Sequence, residues 1–454
     1  MNIYDFVDIT DNTTDRPVDE FIKIAKRHNN SKREFLFVNT LLGKHIATPA
    51  KDAIEMAYKL ELCLCNTIVT NNWTDKKILL VGFAETATAL AQNIFLKSTN
   101  HRSLNIVGYA QTTREDIVND EYVNIAFEEE HSHATTQKLY FDKDLEYDIV
   151  VFVDDEITTG KTVLNFIDQF EKHQPNKKYI VASILNWQND KDRQLFEDRG
   201  ITTASLVRGK IKDNLPKINL TKGNEYDLYV NDENYNIPLS PESNLRTPIK
   251  TNDFRYKYIT SACEGILKLS SKYLNNTPTD TLVIGTEENM FIPMWIANYL
   301  HADVKATTRS PIEPSPDAFD TNYPIYSRHK LNSAYDSKRI TYLYNLYKDI
   351  SNYDRFIIVV EDSSPVFEKE LKNLVSLCQK KIGKTGIKAK IWIDPKYYAG
   401  KKIKVFYDSL DGKTQLSKVD EHILMIYLEM FEKELSGKGF LAINEEIDIH
   451  NYDF

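Results

Sequence analysis

The strongest constraint on the fold is the alternation of short apolar runs with longer stretches of helical periodicity. Apolar runs of β type begin at Lys77, Leu104, Asp148 and Lys178, and segments with helical spacing of apolar residues, such as Ala50–Thr70, separate several of them. Strands that alternate with helices form parallel sheets with helices on both faces. The sequence therefore predicts an α/β fold with mainly parallel sheets.

A polar, turn-rich stretch from 210 to 250 interrupts this alternation, which resumes with apolar runs at Thr281 and Arg355. A length of 454 residues is typical of two domains. The predicted divisions are a first domain with the ligand site at 1–220, a linker at 221–250 and a second domain at 251–454.

Bulk composition excludes several classes of protein. The net charge of −9 provides no general attraction to nucleic acid or anionic membranes. No apolar run reaches the roughly 18 residues of a membrane span, and the N-terminus lacks the pattern of a signal peptide. The four cysteines fit neither a disulfide framework nor a zinc site. We expect a cytoplasmic protein that binds neither nucleic acid nor membrane.

The segment Val150–Thr162 carries the clearest chemical signal. Four apolar residues precede Asp154 and Asp155, which we expect at the carboxyl end of a strand, where ligands bind in open α/β sheets. Two adjacent carboxylates there can accept hydrogen bonds from the vicinal hydroxyls of a ribose. The predicted phosphate loop that follows consists of Thr158, Thr159, Gly160, Lys161 and Thr162. Alternatively, the carboxylates are merely solvated and the loop only begins a helix.

A nucleotide-triphosphatase loop is excluded at this position. That motif requires a glycine five residues before the Gly160-Lys161 pair, and position 155 is an aspartate.

The segment resembles the signature by which type I phosphoribosyltransferases bind phosphoribosyl pyrophosphate (PRPP). The resemblance implies PRPP bound together with Mg²⁺, and no metal held by protein ligands alone. It also implies that the loop after the preceding strand binds pyrophosphate through backbone N–H groups. That loop consists of Gly82, Phe83, Ala84, Glu85 and Thr86. A simple helix cap by Glu85 or Thr86 is the alternative.

Three further residues complete the predicted catalytic set. Arg114 follows the next strand and could hold pyrophosphate oxygens in a bidentate pair, or be an ordinary surface arginine. His131 and His133 lie in a polar segment where the type I family carries a mobile loop that closes over PRPP and excludes water. Metal binding or a solvated hairpin are the other interpretations of this segment.

The two halves of the chain resemble each other, which indicates a duplication. The matched segments, in the same order, are Leu79–Glu85 with Leu282–Glu288, Thr112–Arg114 with Thr307–Arg309, and Val150–Asp155 with Ile357–Asp362. The second half lacks a counterpart of the Thr-Gly-Lys-Thr loop. We therefore predict two Rossmann-like phosphoribosyltransferase-type domains, the second of them degenerate.

The tetrapeptide Thr308–Pro311 reads Thr-Arg-Ser-Pro, the signature of the TRSP domain. With the motifs upstream, the chain resembles bacterial phosphoribosyltransferase–TRSP proteins, which are associated with tellurium-resistance and stress gene clusters and with a nucleoside-like metabolite. The second-domain candidate residues are Glu287, Glu288, Arg309, Ser310, Glu361 and Asp362. They could form a second catalytic site, a partner surface or a purely structural cluster.

The sequence thus predicts an enzyme that joins ribose 5-phosphate from PRPP to a nitrogenous base, or runs the reverse reaction, with Mg²⁺ bound to PRPP. The alternative is a non-catalytic module that senses PRPP or a nucleotide, or that binds another protein. A homodimer or partner enzymes from the same operon are possible, and the acceptor base is not identified.

Overall fold

The structure is a computed structural model. It describes residues 2–28, 33–101, 103–117, 122–128, 136–227, 246–251, 281–315, 322–353, 355–360, 369–370, 388–393 and 406–409.

The strands up to residue 250 are β1 Val7–Asn12, β2 Ile22–Lys26, β3 Phe35–Asn39, β4 Thr48–Pro49, β5 Ile78–Gly82, β6 Ile106–Thr113, β7 Tyr122–Glu128, β8 Thr136–Asp142, β9 Ile149–Ile157, β10 Lys178–Asn186, β11 Ile201–Ile211, β12 Asn224–Asp227 and β13 Ile249–Lys250. The later strands are β14 Thr281–Gly285, β15 Asp303–Ala306, β16 Ser327–Asn332, β17 Ile340–Tyr344, β18 Arg355–Val360, β19 Lys388–Ile393 and β20 Phe406–Ser409. The α-helices are α1 Val18–Phe21, α2 Ala50–Thr70, α3 Thr88–His101, α4 Lys161–His173, α5 Asp190–Asp198, α6 Phe291–Tyr299 and α7 Leu346–Asn352.

The large sheet of the first half has the strand order β1-β11-β10-β9-β5-β6-β8-β7. Its centre, from β11 to β6, is parallel, while β1, β7 and β8 are antiparallel to their neighbours. The predicted α/β fold with a mainly parallel sheet is confirmed. No described helix is both long enough and apolar enough to cross a bilayer.

The central strand β9 explains why this part of the sequence is a continuous apolar run. Its residues Ile149, Val151 and Val153 belong to the hydrophobic cluster that contains α2 and α3. Val150 and Phe152 belong to the cluster on the opposite face, which contains α4. Successive side chains of a strand point to opposite faces, so a strand covered on both sides must be apolar at every position.

The second half repeats the central arrangement of the first. Its sheet has the order β20-β19-β18-β14-β15-β4, and the strands from β19 to β15 are parallel. The series β19-β18-β14-β15 corresponds to β10-β9-β5-β6. A local contact is repeated as well, because the Ala84 N–H donates to Thr112 Oγ1 at 2.8 Å and the Glu287 N–H donates to Thr307 Oγ1 at 3.0 Å. The shared order and contact support the duplication inferred from sequence.

The first half lends a short strand to the sheet of the second, and the segment between the halves lends one to the sheet of the first. Strand β4 of the first half pairs antiparallel with β15, and β13, which precedes the second half, pairs antiparallel with β6. The Ala50 N–H donates to the Ala302 carbonyl at 3.2 Å, and the Thr251 N–H donates to the Val107 carbonyl at 3.0 Å. Each of these two short strands is therefore followed by one further backbone hydrogen bond to the part of the chain that it joins.

The two halves also share one hydrophobic core. Buried residues of α2, α3 and α6 form a single cluster with both sheets. Across the α3–α6 contact, the indole N–H of Trp295 donates to Asn93 Oδ1 at 3.0 Å, and the Asn93 amide donates to the Met294 sulfur at 3.3 Å.

The range 221–250 was predicted as a linker, and its described part forms regular structure. Strand β12 pairs with β16 of the second half, and β13 pairs with β6 of the first. The range is rich in turn-forming residues, which is why the sequence predicts a linker. In the structure, both strands pair with strands that are distant in the sequence. The division into domains at 1–220 and 251–454 stays a prediction.

Candidate active site

The acidic pair lies in the last part of strand β9, which ends at Ile157. Pairing with β10 continues to Ile157, with Asp154 opposite Ser183. The strand therefore extends beyond its run of apolar residues, which ends at Val153. The Asp155 N–H donates to Asp154 Oδ1 at 2.9 Å. Ile157 packs on the face of the sheet that is covered by α4, with Val150 and Phe152. Val153 packs on the opposite face, and regular alternation of side chains would place Ile157 on the same face as Val153. The pair therefore lies where the regular pleat ends.

The carboxyl group of Asp155 is poorly stabilised as an anion. Burial raises its pKa, and the neighbouring Glu156 raises it further, to about 6, although Lys44 has a small opposite effect. A carboxylate in this condition gains from hydrogen-bond donors or a cation. Hydroxyl groups of a sugar, or a hydrated metal ion carried by a ligand, would meet that need.

The predicted phosphate loop leads directly into helix α4. Gly160 is the residue before the helix, with a φ of 74°, and no side chain caps the helix. The Lys161 N–H has only a long contact, 3.4 Å, to Thr159 Oγ1. Thr158, Thr159 and Thr162 are partly exposed. An uncapped helix start with a left-handed glycine and partly exposed hydroxyl groups is suited to an anion such as phosphate.

The loop after β5 lies beside the acidic pair. The Phe83 N–H donates to the Val153 carbonyl at 2.9 Å, and the Ala84 N–H donates to Thr112 Oγ1 at 2.8 Å. Two of the N–H groups that the resemblance assigned to pyrophosphate are therefore already used inside the protein. The pyrophosphate prediction for this loop now rests on the backbone around Glu85 and Thr86.

Glu85 is a buried anion held by cations from both halves, not a helix cap. Its carboxylate pairs with Lys44 at 2.7 Å and with Arg114 at 3.5 Å, and it accepts the Arg309 N–H at 3.3 Å. Burial alone would raise the pKa of Glu85, but Lys44, Arg309 and Arg114 outweigh it and lower the pKa to about 2.

Arg114 is not a surface arginine. Its side chain is 11% exposed and lies against Glu85 in the loop after β5. The structure thus brings Arg114 to the loop predicted to bind pyrophosphate.

Among the second-half candidates, Glu287 and Glu288 contact different parts of the chain. Glu287 accepts from Arg309 Nε at 2.6 Å and also from the hydroxyl of Ser333. Glu288 instead turns toward the first half. Ser310 follows Arg309, and its hydrogen bonds are made by its backbone, to Thr308 and Tyr344. The remaining predicted residues, which lie outside the described ones, are His131, His133, Glu361 and Asp362.

Four charged residues of this region were not assigned from the sequence. Lys44, Glu115, Arg246 and Arg339 are absent from the residues that the sequence predicts for the site. All four take part in the buried ion pairs of this region, where Lys44 binds Glu85 within the first half, Arg246 of the segment 221–250 binds Glu288, and Arg339 of the second half binds Glu115 of the first. The only sequence signal for any of them is that Lys44 follows Gly43 and precedes Pro49, in a segment that could border a ligand site.

A cluster of one arginine and three aromatic side chains lies next to Glu156, near the end of β9. Arg33 pairs with Glu156 at 2.7 Å and lies over the rings of Phe35 and Phe37, at 4.7 and 5.2 Å from their centres. Trp187 contacts Phe37 with ring centres 5.0 Å apart. Through Glu156, strand β3 and the segment before it border the residues predicted to hold ribose.

Within the described residues, no group of three or more His, Cys, Asp or Glu side chains is arranged to hold a metal ion. The oxygen donors at the end of β9 are of the type that hard cations prefer.

Comparison with known proteins agrees with this architecture. A family model described as phosphoribosyl transferase matches residues 21–210, and a model described as the TRSP domain C-terminal to it matches residues 254–378. No curated protein matches the chain.

The solved structures to which the chain is similar include the following three. The enzyme APRTase from Giardia lamblia, in complex with 9-deazaadenine, has 13% identity and a TM-score of 0.29 over 44% of this chain and 98% of its own. Adenine phosphoribosyltransferase from Saccharomyces cerevisiae has 13% identity and a TM-score of 0.29, over 42% of this chain and 96% of its own. That from Trypanosoma brucei has 15% identity and a TM-score of 0.27, over 44% and 86%. Scores of this size carry no conclusion about substrate.

The chain therefore contains a phosphoribosyl transferase domain at residues 21–210. More narrowly, it joins a phosphoribosyl transferase domain to a C-terminal TRSP domain, which is the fusion that the motifs predicted.

Proposed function

We propose that the chain transfers the 5-phosphoribosyl group of PRPP to a nitrogen atom of a base and releases pyrophosphate. The observation that carries the proposal is the junction of Asp154 and Asp155, at the end of β9, with the Gly160 loop that opens α4. A carboxylate pair for two hydroxyls, next to an uncapped helix start for a phosphate, matches the two ends of a ribose 5-phosphate. Phosphoribosyl transfer is the activity of the matched family.

Each part of PRPP has proposed partners. Asp154 and Asp155 accept hydrogen bonds from the 2′ and 3′ hydroxyls, and the backbone and hydroxyl groups from Thr158 to Thr162 bind the 5′-phosphate. Arg114 and the backbone near Glu85 and Thr86 bind pyrophosphate. The base nitrogen forms a bond to C1 as the C1–O bond to pyrophosphate breaks, and pyrophosphate leaves with the bonding electron pair.

Mg²⁺ fits this site as a companion of PRPP. The acidic residues at the end of β9 offer oxygen donors without histidine or thiolate, and the raised pKa of Asp155 shows an anion in need of positive charge. When bound, the ion would neutralise pyrophosphate charge. Asp154 and Asp155 would hold it, directly or through water. The proposal includes a cytoplasmic location and leaves the base unassigned.

The test is calorimetric titration of the wild type and of an Asp154→Asn, Asp155→Asn double variant with Mg²⁺-PRPP. Amide groups keep the shape of the side chains but remove both negative charges. We expect affinity to fall at least about 100-fold in the double variant. Pyrophosphate release, followed with a panel of purine and pyrimidine bases, then tests turnover.

Asp148→Asn is the matched control, because Asp148 stands at the opposite end of the same strand and accepts the Lys77 N–H at 2.9 Å. It should leave PRPP affinity unchanged. Equal affinity in the wild type and the double variant would refute the site. Tight binding without pyrophosphate release from any base would favour the sensing module.

A further inference from the structure

The turn after β6, which carries Arg114, is held by the second half of the chain. The hydroxyl of Thr113 donates to Glu288 Oε2 at 2.7 Å, and the Arg114 N–H donates to Glu288 Oε1 at 3.1 Å. One carboxylate of the TRSP half thus bridges two consecutive residues of the turn.

The next residue of the turn is held from the same side. Glu115 accepts from Arg309 Nη2 at 2.8 Å and from Arg339. Burial alone would raise the pKa of Glu115, but Arg339, Arg246 and Arg309 lower it to about 2. Three consecutive residues from Thr113 to Glu115 therefore have second-half partners.

Glu288 is itself rigidly fixed. Its side chain is 1% exposed, and it pairs with Arg246 Nε at 2.7 Å, whose guanidinium lies 4.6 Å from the ring centre of Tyr335. Charge-assisted hydrogen bonds are strong and directional when water is excluded. Glu288 can therefore impose a defined position on the turn.

The same contact occurs in the opposite direction. Glu85 of the first half accepts the N–H of Arg309, and Arg309 is the counterpart of Arg114 in the repeat. Each half therefore places a carboxylate against the backbone of the other half's arginine. This reciprocity shows that the Glu288 contact belongs to the architecture of the paired halves.

We infer that Glu288 of the TRSP half is a positioning residue for Arg114, so that the second half completes the pyrophosphate end of the PRPP site. This inference rests on the proposed function. Glu288 acts through the turn and not on PRPP itself. Its loss should therefore weaken PRPP binding and raise the KM for PRPP, while the KM for the base stays unchanged.

The test compares Glu288→Gln with a pair of variants on the other side of the same contact. An amide at 288 loses the negative charge and one acceptor, so it cannot serve both donors. Thr113→Val removes the hydroxyl, and Thr113→Ser restores it. Glu225→Gln is the control, because it removes a carboxylate of β12 that pairs with Arg328 and Lys330 of the second half, away from the turn.

Each protein is titrated with Mg²⁺-PRPP after its thermal unfolding has been compared with that of the wild type. We expect affinity to fall at least about tenfold in Glu288→Gln and in Thr113→Val. Thr113→Ser and Glu225→Gln should bind like the wild type. The Glu288→Gln, Thr113→Val double variant should lose less than the sum of the two single variants, because both single variants remove the contact between Thr113 and Glu288.

Wild-type affinity in a folded Glu288→Gln protein would overturn the inference while leaving the PRPP site intact. If that variant does not fold, the comparison of Thr113→Val with Thr113→Ser decides, and equal affinities would overturn it. A wild type that does not bind PRPP would overturn the proposed function and this inference with it.

Discussion

At the scale of single residues, Gly160 has the most restrictive environment in the predicted phosphate loop. A Cβ at this position would lie 2.4 Å from Phe196 Cζ, and the φ of 74° is itself unfavourable for other residues. Gly160→Ala should therefore displace the start of α4. We expect weaker binding of Mg²⁺-PRPP by calorimetry and a lower thermal unfolding midpoint.

Gly200→Ala is the matched control for that change. Gly200 has a similar φ of 65°, but no atom lies within 4 Å of a Cβ built there. It should show only the cost of a left-handed backbone, roughly 1–2 kcal/mol, and normal PRPP binding. Similar losses of affinity in the two variants would show that the ring contact at Gly160 is unimportant for the loop.

At the scale of elements, Lys44 joins a buried carboxylate of the first half to the backbone of the second. Lys44 precedes β4, is fully buried, and joins Glu85 in the loop after β5, while its Nζ also donates to the Glu287 carbonyl at 2.5 Å. Lys44→Met should destabilise the protein by about 3–5 kcal/mol, because it leaves a buried carboxylate without its nearest cation. Urea unfolding measures the change.

Lys77→Met provides the comparison, because the pair between Lys77 and Glu146 is exposed to solvent. Exposed pairs contribute little to stability, so this variant should unfold like the wild type. If Lys44→Met were equally harmless, the arginines around Glu85 would be sufficient to hold it.

Elements and motifs differ in how far the sequence could predict them. The helix Ala50–Thr70 and the segment Val150–Thr162 were predictable, because periodicity and adjacent residues carry their signals. The pairing of Lys44 with Glu85 was not, since no local pattern shows which charges are buried together. For the same reason, the sequence grouped Glu287 with Glu288, although they turn toward different halves.

At the scale of the whole molecule, the shared ion pairs should make stability sensitive to acid. Glu115 has an ordinary pKa near 4.5 when unfolded and about 2 when folded, so the unfolded chain binds its proton first as the pH falls. Its contribution to stability is present above pH 4.5 and is lost as the pH falls toward 2. Asp155 has a raised pKa and therefore the opposite effect, because its ionisation lowers the stability as the pH rises toward 6.

Comparison with Glu115→Gln isolates this effect from the other acids. The variant should be less stable than the wild type at neutral pH, by a free energy of unfolding on the order of 3 kcal/mol. The difference should shrink between pH 4.5 and 2 in urea titrations. A difference that is independent of pH would mean that the charge of Glu115 contributes nothing.

The pairing of β4 with β15 also bears on how such a gene can change. If the first coding half were deleted, the sheet of the second half would lose β4 and expose an unpaired edge at β15, which favours aggregation. We therefore expect the two coding halves to be inherited together, and a shortened copy to persist only where another polypeptide supplies the missing strand.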